Sequence, residues 1–350
     1  MEYVMLKEVC AINMGQSPDS NSYNEVEEGL PFFQGNADFG ERYPIARKWC
    51  TAPNKIALAE DILISVRAPI GAINFAYEEC CIGRGLAALT PDKSKIVPDF
   101  LFWFLKHINV ELNDKGTGST FKAIGRKAIE EIKLPNIPLK TQQEISIILG
   151  KIHSVIQTRK QEMCKLDDLI KARFVELFGD IISNEKGWET DLWSNVLTIV
   201  NGKNQKAVEA EDGEYLICGS GGAMGKANDY LVNENSVIVG RKGNINKPIL
   251  MREKYWNVDT AFGIEPNEEF INVDYFYMFC IFFNFEKLNK AVTIPSLTKS
   301  DLLNIEMPVP DKDIQKQFTD FVAQVDKSKL IDKKLLQKKL KEYRVSRNYA

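Results

Sequence analysis

Two glycine clusters come nearest to phosphate-binding chemistry: GRGLAA at 83–88 and GSGGAMGKA at 219–227. The first fits G-x-G-x-x-A, but LTPDK follows at once, so no helix is supplied to receive a pyrophosphate. The second resembles a P-loop, yet Ser220 stands where the first glycine is required and Ala227 replaces the Mg²⁺-binding Ser/Thr. An amino-methyltransferase needs an Asn/Asp-Pro-Pro-aromatic loop for its target amine, and the chain has no Pro-Pro dipeptide. PDKSK and PDKDIQK hold the carboxylates and lysine of a nuclease, but a chain 27% charged produces such strings often. Metal and thiol chemistry fare no better. Of seven cysteines only Cys80 and Cys81 are close, no CxxC spacing occurs, and the two histidines, His107 and His153, lie far apart. His107 sits in an apolar stretch and reads as a packed residue. The expectation is therefore no catalytic residue, no metal and no cofactor.

The remaining polar groups must be placed by elements, and the chain is long enough for more than one. At 350 residues with 44% hydrophobic content it exceeds one typical core. No apolar run approaches the roughly 18–20 residues that span a bilayer. The start, MEYVMLKEVCAINMG, lacks the basic and apolar regions of a signal peptide. Reduced thiols and a cytoplasmic location follow as expectations. A net charge of −3 gives no hint of a polyanionic partner.

From Thr141 to Asp180 the sequence contains no proline and one interior glycine, Gly150. TQQE at its start reads as a capping box, with Thr141 as cap and Glu144 reaching back. Ile145, Leu149, Ile152, Ile156, Met163, Leu166, Ile170 and Leu177 then alternate at spacings of 4 and 3 along one stripe, interrupted by Arg159 and Arg173. That is the period of a helix packed lengthwise on another, and at about 1.5 Å per residue it makes a rod of roughly 57 Å. Residues 313–345 offer the partner. Phe318, Val322, Val325, Leu336 and Leu340 favour one side, and the last part, Lys327 to Arg347, carries nine Lys/Arg against two acidic residues.

Sliding the first helix by 173 positions lays Gln142 on Gln315, Ile145 on Phe318 and IKLP at 132–135 on IEMP at 305–308. Further upstream VPDFLFWFLKH (97–107) matches NVDYFYMFCIF (272–282), both short helices behind an acidic cap. LISVRAPIGAI (63–73) matches VIVGRKGNINK (237–247), and GLPFFQGNADFG (29–40) matches GEYLICGSGGAMG (213–225). The chain thus reads as a tandem pseudo-two-fold repeat, mixed α/β in class. Two globular domains, 1–140 and 181–312, alternate with two long antiparallel helices, 141–180 and 313–345, packed as a coiled coil. A tail, 346–350, follows.

INMGQSPDSNSYN, GLPFFQGNADFG, GTGSTFKAI, LPNIPLKTQQEI and KLDDLIKARFVELFGD, in that order, resemble the DNA-specificity subunit of type I restriction–modification systems over essentially the whole chain. The resemblance implies two target-recognition domains, each reading half of a bipartite site in double-stranded DNA. It implies that the helices set the spacing and dock methyltransferase subunits, that restriction subunits join, and that one copy of this non-catalytic chain serves each complex. The second half departs from the pattern, with AVTIPSLTKSDL in place of the GTGSTFKAI stretch, and the last helix has no LFGD-like end. A protein-interaction scaffold of the same architecture, without DNA, is the competing reading.

Base reading needs amides, guanidinium groups and small polar side chains at loop tips, and phosphate contact needs cations. In the first domain these are Gln16, Ser17, Gln34, Asn36, Arg67, Arg84, Lys115, Thr117, Ser119, Lys122 and Arg126. In the second they are Lys203, Lys206, Ser220, Arg241, Lys242, Asn244, Asn246, Lys247, Ser296 and Lys299. Any one alone reads equally well as a solvated surface residue. Their recurrence at matching places in both halves favours a shared task.

Overall fold

A computed structural model describes residues 2–114, 122–291 and 293–347, with side chains described to Leu330. The chain divides into two compact units, Met1–Val155 and Ile156–Ala350. Each is mixed α/β, and each builds a four-stranded antiparallel sheet and a second sheet that contains a parallel pair.

In the first unit the strands are β1 (Cys10–Met14), β2 (Leu30–Phe33), β3 (Ile62–Ser65), β4 (Ile73–Phe75), β5 (Cys80–Ile82) and β6 (Leu86–Pro91). Helix α1 (Pro98–His107), the short α2 (Arg126–Glu130) and the long α3 (Leu139–Phe178) follow. An antiparallel sheet runs β1–β6–β3–β4. Beside it β2 pairs in parallel with β5, Phe32 opposite Cys81. Strand β3 is buried along its whole length because both of its faces are covered. Phe100, Leu101, Phe102 and Leu105 of α1 lie buried against the sheet, with Phe102 stacked on Phe75 at 4.8 Å.

The second unit repeats this with β7 (Leu197–Asn201), β8 (Tyr215–Gly219), β9 (Gly222–Ala227), β10 (Ser236–Gly240), β11 (Ile249–Met251), β12 (Tyr255–Asn257) and β13 (Ala261–Pro266). Helices α4 (Val273–Phe282), α5 (Lys299–Leu303) and α6 (Lys312–Arg347) complete it. Its antiparallel sheet runs β7–β13–β10–β11, and β8 lies parallel to β12. The tandem repeat expected from the sequence is thus present in the four-stranded antiparallel sheet and the parallel pair of each unit, while the strands added to that pair differ.

The long helices do two kinds of work. In the second unit Phe174 and Phe178 of α3 are fully buried with Tyr275 and Phe318, their rings 4.8–5.7 Å from one another. Phe178 faces Phe318 while Asp167 pairs with Lys329 at 2.6 Å, so α3 and α6 run antiparallel here. Ile170, Leu177, Phe318, Val322 and Val325 of the expected seam are buried in this core, and Leu166 packs against it. Ile156 and Met163 are half-buried, as are Leu149 and Ile152 in the first unit, where Ile145 joins the α1 core. Phe174 and Phe178 are the deepest residues, and the seven-residue pattern passes over them. The side chains of Leu336 and Leu340 lie outside the described residues. Arg173 stays at the margin, bonding Glu176 and lying over the Phe321 ring.

The ends of α3 differ from the expected caps in one respect. The helix begins at Leu139, so Thr141 sits inside its first turn and the TQQE capping box is not the cap. Gln142 holds the start instead. Its amide donates to the Ile137 carbonyl at 2.9 Å, and its Oε1 accepts the Val97 N–H at 2.8 Å. Gln315 does the same at the start of α6, donating to Pro310 and Phe270 carbonyls and accepting from Asn272. At the far end Gly179 takes φ +72°, and Lys186 and Trp188 donate to the last carbonyls of α3.

Three smaller expectations are corrected. The acidic residues at the start of α1 and α4 do not cap: Asp99 and Asp274 lie in the first turn and pair with Arg42 and Arg252. His107 ends α1 and is exposed, whereas an apolar neighbourhood suggested packing. Helix α6 also continues to Arg347, two residues past the expected end.

Candidate nucleic-acid interface

The polar residues of the first domain gather at one turn, Gly83–Arg84–Gly85, between β5 and β6. Gln16 leaves β1 and donates its N–H to the Ile82 carbonyl at 3.0 Å. Gly83 donates to Phe33 at the end of β2, next to Gln34, at 2.8 Å. Val66, next to Arg67, donates to Gly85 at 2.9 Å, and Ala68 donates to Lys122 at 3.1 Å. Backbone bonds alone therefore bring Gln16, Ser17, Gln34, Arg67, Arg84 and Lys122 to one loop face. All of them are exposed except the half-buried Ser17. Ser17 Oγ accepts the Arg84 Nε–H at 3.2 Å. Asn36 opens the short helical turn after Gln34, whose N–H is held by Asp38. Arg126 starts α2 and pairs with Glu130 at 2.7 Å. Lys115, Thr117 and Ser119 fall outside the described residues.

The second domain builds its face on Val258–Asp259–Thr260, between β12 and β13. Lys203 donates to Asn257 at 2.8 Å, Val258 to Cys218 at 2.9 Å and Arg241 to Thr260 at 2.8 Å. Exposed Lys203 and Lys242 stand beside this turn. Lys242 bridges Ser296 as Arg67 bridges Ala123. Ser220 lies in the β8–β9 turn, whose Gly219 packs on Thr260 and Val258 and whose Gly221 lies beside Asn244. Both domains bring backbones into contact here. A Cβ on Gly15 would stand 2.2 Å from the Gly83 carbonyl oxygen, and one on Gly202 1.8 Å from that of Val258.

The backbone pairing places Arg67 opposite Lys242 in the repeat, whereas the string match pairs Arg67 with Arg241. A slip of one residue along an extended strand turns a side chain to the other face. The Arg241 guanidinium accordingly lies over the buried Phe262 ring at 5.9 Å. Asn246 bonds Asn284 and the Phe285 N–H, and Lys299 donates to the Ile199 carbonyl at 2.6 Å, so both serve the scaffold. Lys206 and Lys247 are exposed on neighbouring loops. Asp259, exposed at the centre of the second face, was missed. The string VDT shares nothing with GRG, and their equivalence shows in the matching strand lengths and backbone bonds.

Buried thiols around these turns are chemically quiet. Desolvation pushes Cys80 and Cys81 up to about 12 and Cys218 to about 11, so they stay protonated at neutral pH. The glycine clusters serve turns, not phosphate loops: GRGLAA runs into β6, and GSGGAMGKA is the β8–β9 hairpin. Among the described residues no helix is long and apolar enough to cross a membrane.

Comparison with known proteins agrees with the repeat. The family model described as type I restriction modification DNA specificity domain matches twice, at residues 1–166 and 185–341. The provisionally named MjaX type I restriction enzyme specificity subunit of Methanocaldococcus jannaschii is 45% identical over 151 residues, which is 43% of this chain and 36% of that protein. The chain thus spans about a third of that relative's length. The MjaIX specificity subunit of the same organism is 24% identical over 303 residues, 75% of this chain and 69% of that one. A solved type I restriction–modification S subunit from M. genitalium has a TM-score of 0.62 over 96% of this chain and 92% of its own, at 16% identity, a likeness of fold. The chain belongs to the type I restriction–modification DNA specificity family, as a specificity subunit with two recognition domains.

Proposed function

We propose that the chain is the non-catalytic reader of a bipartite sequence in double-stranded DNA, with one half-site bound by each turn-centred face. The observation that carries this reading is the repeated construction of those faces. Unrelated surface residues drift independently, whereas here the same backbone bonds present polar, exposed side chains at corresponding places in both domains. Arg67, Lys122, Lys203 and Lys242 supply phosphate contacts; Gln16, Gln34, Ser220 and Asn244 have the donor–acceptor chemistry of base readers.

The helices α3 and α6 set the spacing between half-sites in this reading. They also dock the methyltransferase subunits, which restriction subunits then join. Exposed Ile147, Ile148, Leu169 and Val175 on α3 support docking of a protein partner, since such residues are costly to leave in water. The domain limits 1–140 and 181–312, with helices 141–180 and 313–345, are the functional modules we propose.

The test is production of the chain with type I methyltransferase subunits from the same genome, in a host lacking DNA methylation. Single-molecule sequencing should then find one bipartite methylated motif that vanishes when this chain is omitted. Methylation that persists without the chain, or partner subunits that assemble on it without sequence-selective methylation, would favour the DNA-free scaffold.

A further inference from the structure

The two faces coincide at one position where their charges are opposite. Strands β5 and β6 correspond to β12 and β13 with identical lengths and a constant displacement, Cys80 to Tyr255 and Pro91 to Pro266. Within that frame Arg84 falls on Asp259. The bonds fixing the turn fall on one another too. Gly83 N–H to Phe33 matches Val258 N–H to Cys218, Val66 to Gly85 matches Arg241 to Thr260, and Leu86 to Gly83 matches Ala261 to Val258. Both side chains are exposed at the tip. Arg84 is tied only by its Nε and backbone N–H to Ser17, so its terminal guanidinium nitrogens make no hydrogen bond among the described residues. Asp259 makes no hydrogen bond or ion pair among the described residues, although Lys203 and Lys242 flank it.

A carboxylate at the centre of a polyanion-binding face is repelled by phosphate, so backbone contact does not account for it. The electronegative base edges are equally closed to it. What a carboxylate can accept in the major groove is an exocyclic amino group. A guanidinium with its two terminal nitrogens uncommitted suits the opposite edge, the paired O6 and N7 acceptors of guanine. We propose that Arg84 and Asp259 are corresponding specificity residues, Arg84 reading guanine in the first half-site and Asp259 the amino group of cytosine or adenine in the second. This rests on the sequence-reading function above. Cytosine N4 and adenine N6 offer the same donor, and the mapped motif tells them apart. Ser17 is a positioning residue that holds the Arg84 fork by its Nε.

The experiment uses the full chain assembled with its methyltransferase subunits, acting on a library of double-stranded DNA with randomised half-sites, with methylated molecules sequenced. Arg84→Gln should relax one position of the first half-site, and Asp259→Asn one position of the second, each leaving the other half unchanged. Discrimination at that position should fall by between about 5- and 150-fold, the range for one well-formed base contact. Asp259→Arg should move the preferred base there toward guanine. Since neither side chain holds the turn, the variants should melt within a few degrees of the parent.

A uniform fall in methylation with no relaxed position would assign these residues to phosphate and overturn the proposal. So would an unchanged motif or variants that fail to fold. A parent complex that yields no bipartite motif would instead overturn the sequence-reading function, and this assignment with it.

Discussion

Asp274 shows what a single buried charge contributes to the second domain. Its side chain is 4% exposed, and burial raises its carboxyl above the ordinary 3.8 while Arg252 pulls the other way. Arg252→Gln removes the counter-charge of that carboxylate and leaves it Thr319 as a hydrogen-bond partner. The cost should be roughly 2–3 kcal/mol at pH 7, below the ~3–5 of fully buried pairs because Arg252 is 43% exposed. The sign of the pH effect follows. Without its partner the folded carboxyl titrates still higher, so over the range above 3.8 the folded state binds a proton that the unfolded state has lost. The variant's deficit should therefore shrink as pH falls from 7 to 5, as thermal melts at the two pH values would measure; a constant deficit would mean lost packing alone. At Gly202 the constraint is steric. Gly202→Ala drives a methyl against the Val258 carbonyl and should destabilise the second domain by about 2–4 kcal/mol. Residue chemistry was only partly legible beforehand. Gln16 and Arg84 could be named from type and neighbours, but Arg241 and Asn246 could not be sorted from Lys242 and Asn244, because side-chain direction depends on register.

At the scale of elements the paired glutamines are the sharpest device. Gln142 and Gln315 sit at corresponding positions, each tying the start of a long helix to the segment that precedes α1 or α4. Replacing either by leucine leaves a buried N–H and buried carbonyls without partners, at about 1–3 kcal/mol. Hydrogen exchange should locate the loss at the Val97 amide for Gln142→Leu and the Asn272 amide for Gln315→Leu. Equal protection in variant and parent would contradict the clamp. The helices themselves were easy to read, since an apolar stripe over forty residues without proline fits little besides a long helix. Their caps were not. TQQE satisfies the capping-box pattern, but Pro138 lets the helix begin earlier, and a glutamine that reaches across to another segment leaves no local signature. The seam was legible where leucine and isoleucine mark it. It was obscured at Phe174 and Phe178, where the packing widens into the second core.

For the whole molecule, the repeat predicts modular behaviour. Exchanging residues 1–140 for the first domain of another family member should alter one half of the methylated motif and leave the other, as sequencing of modified sites would read. Inserting seven residues near Lys160 preserves the apolar stripe and adds about 10.5 Å, or roughly three base-pair steps of 3.4 Å. The gap between half-sites should grow accordingly; a folded variant with an unchanged gap would show that the helix does not set it. The tandem order was legible because the long helices and their preceding strands repeat almost without gaps. The fine alignment of the two halves was hidden, because loops of unequal length shift the register between matched strings.

The turns at Arg84 and Asp259 are held by main-chain bonds, and that has a consequence for descent as well as for folding. A site whose geometry ignores its own side chain can mutate from cation to anion without passing through an unfolded ancestor. Selection on stability is blind there. Two copies of one ancestral domain could thus diverge at the tip while the strands that flank it directly, β5 and β6 in one copy and β12 and β13 in the other, kept their lengths.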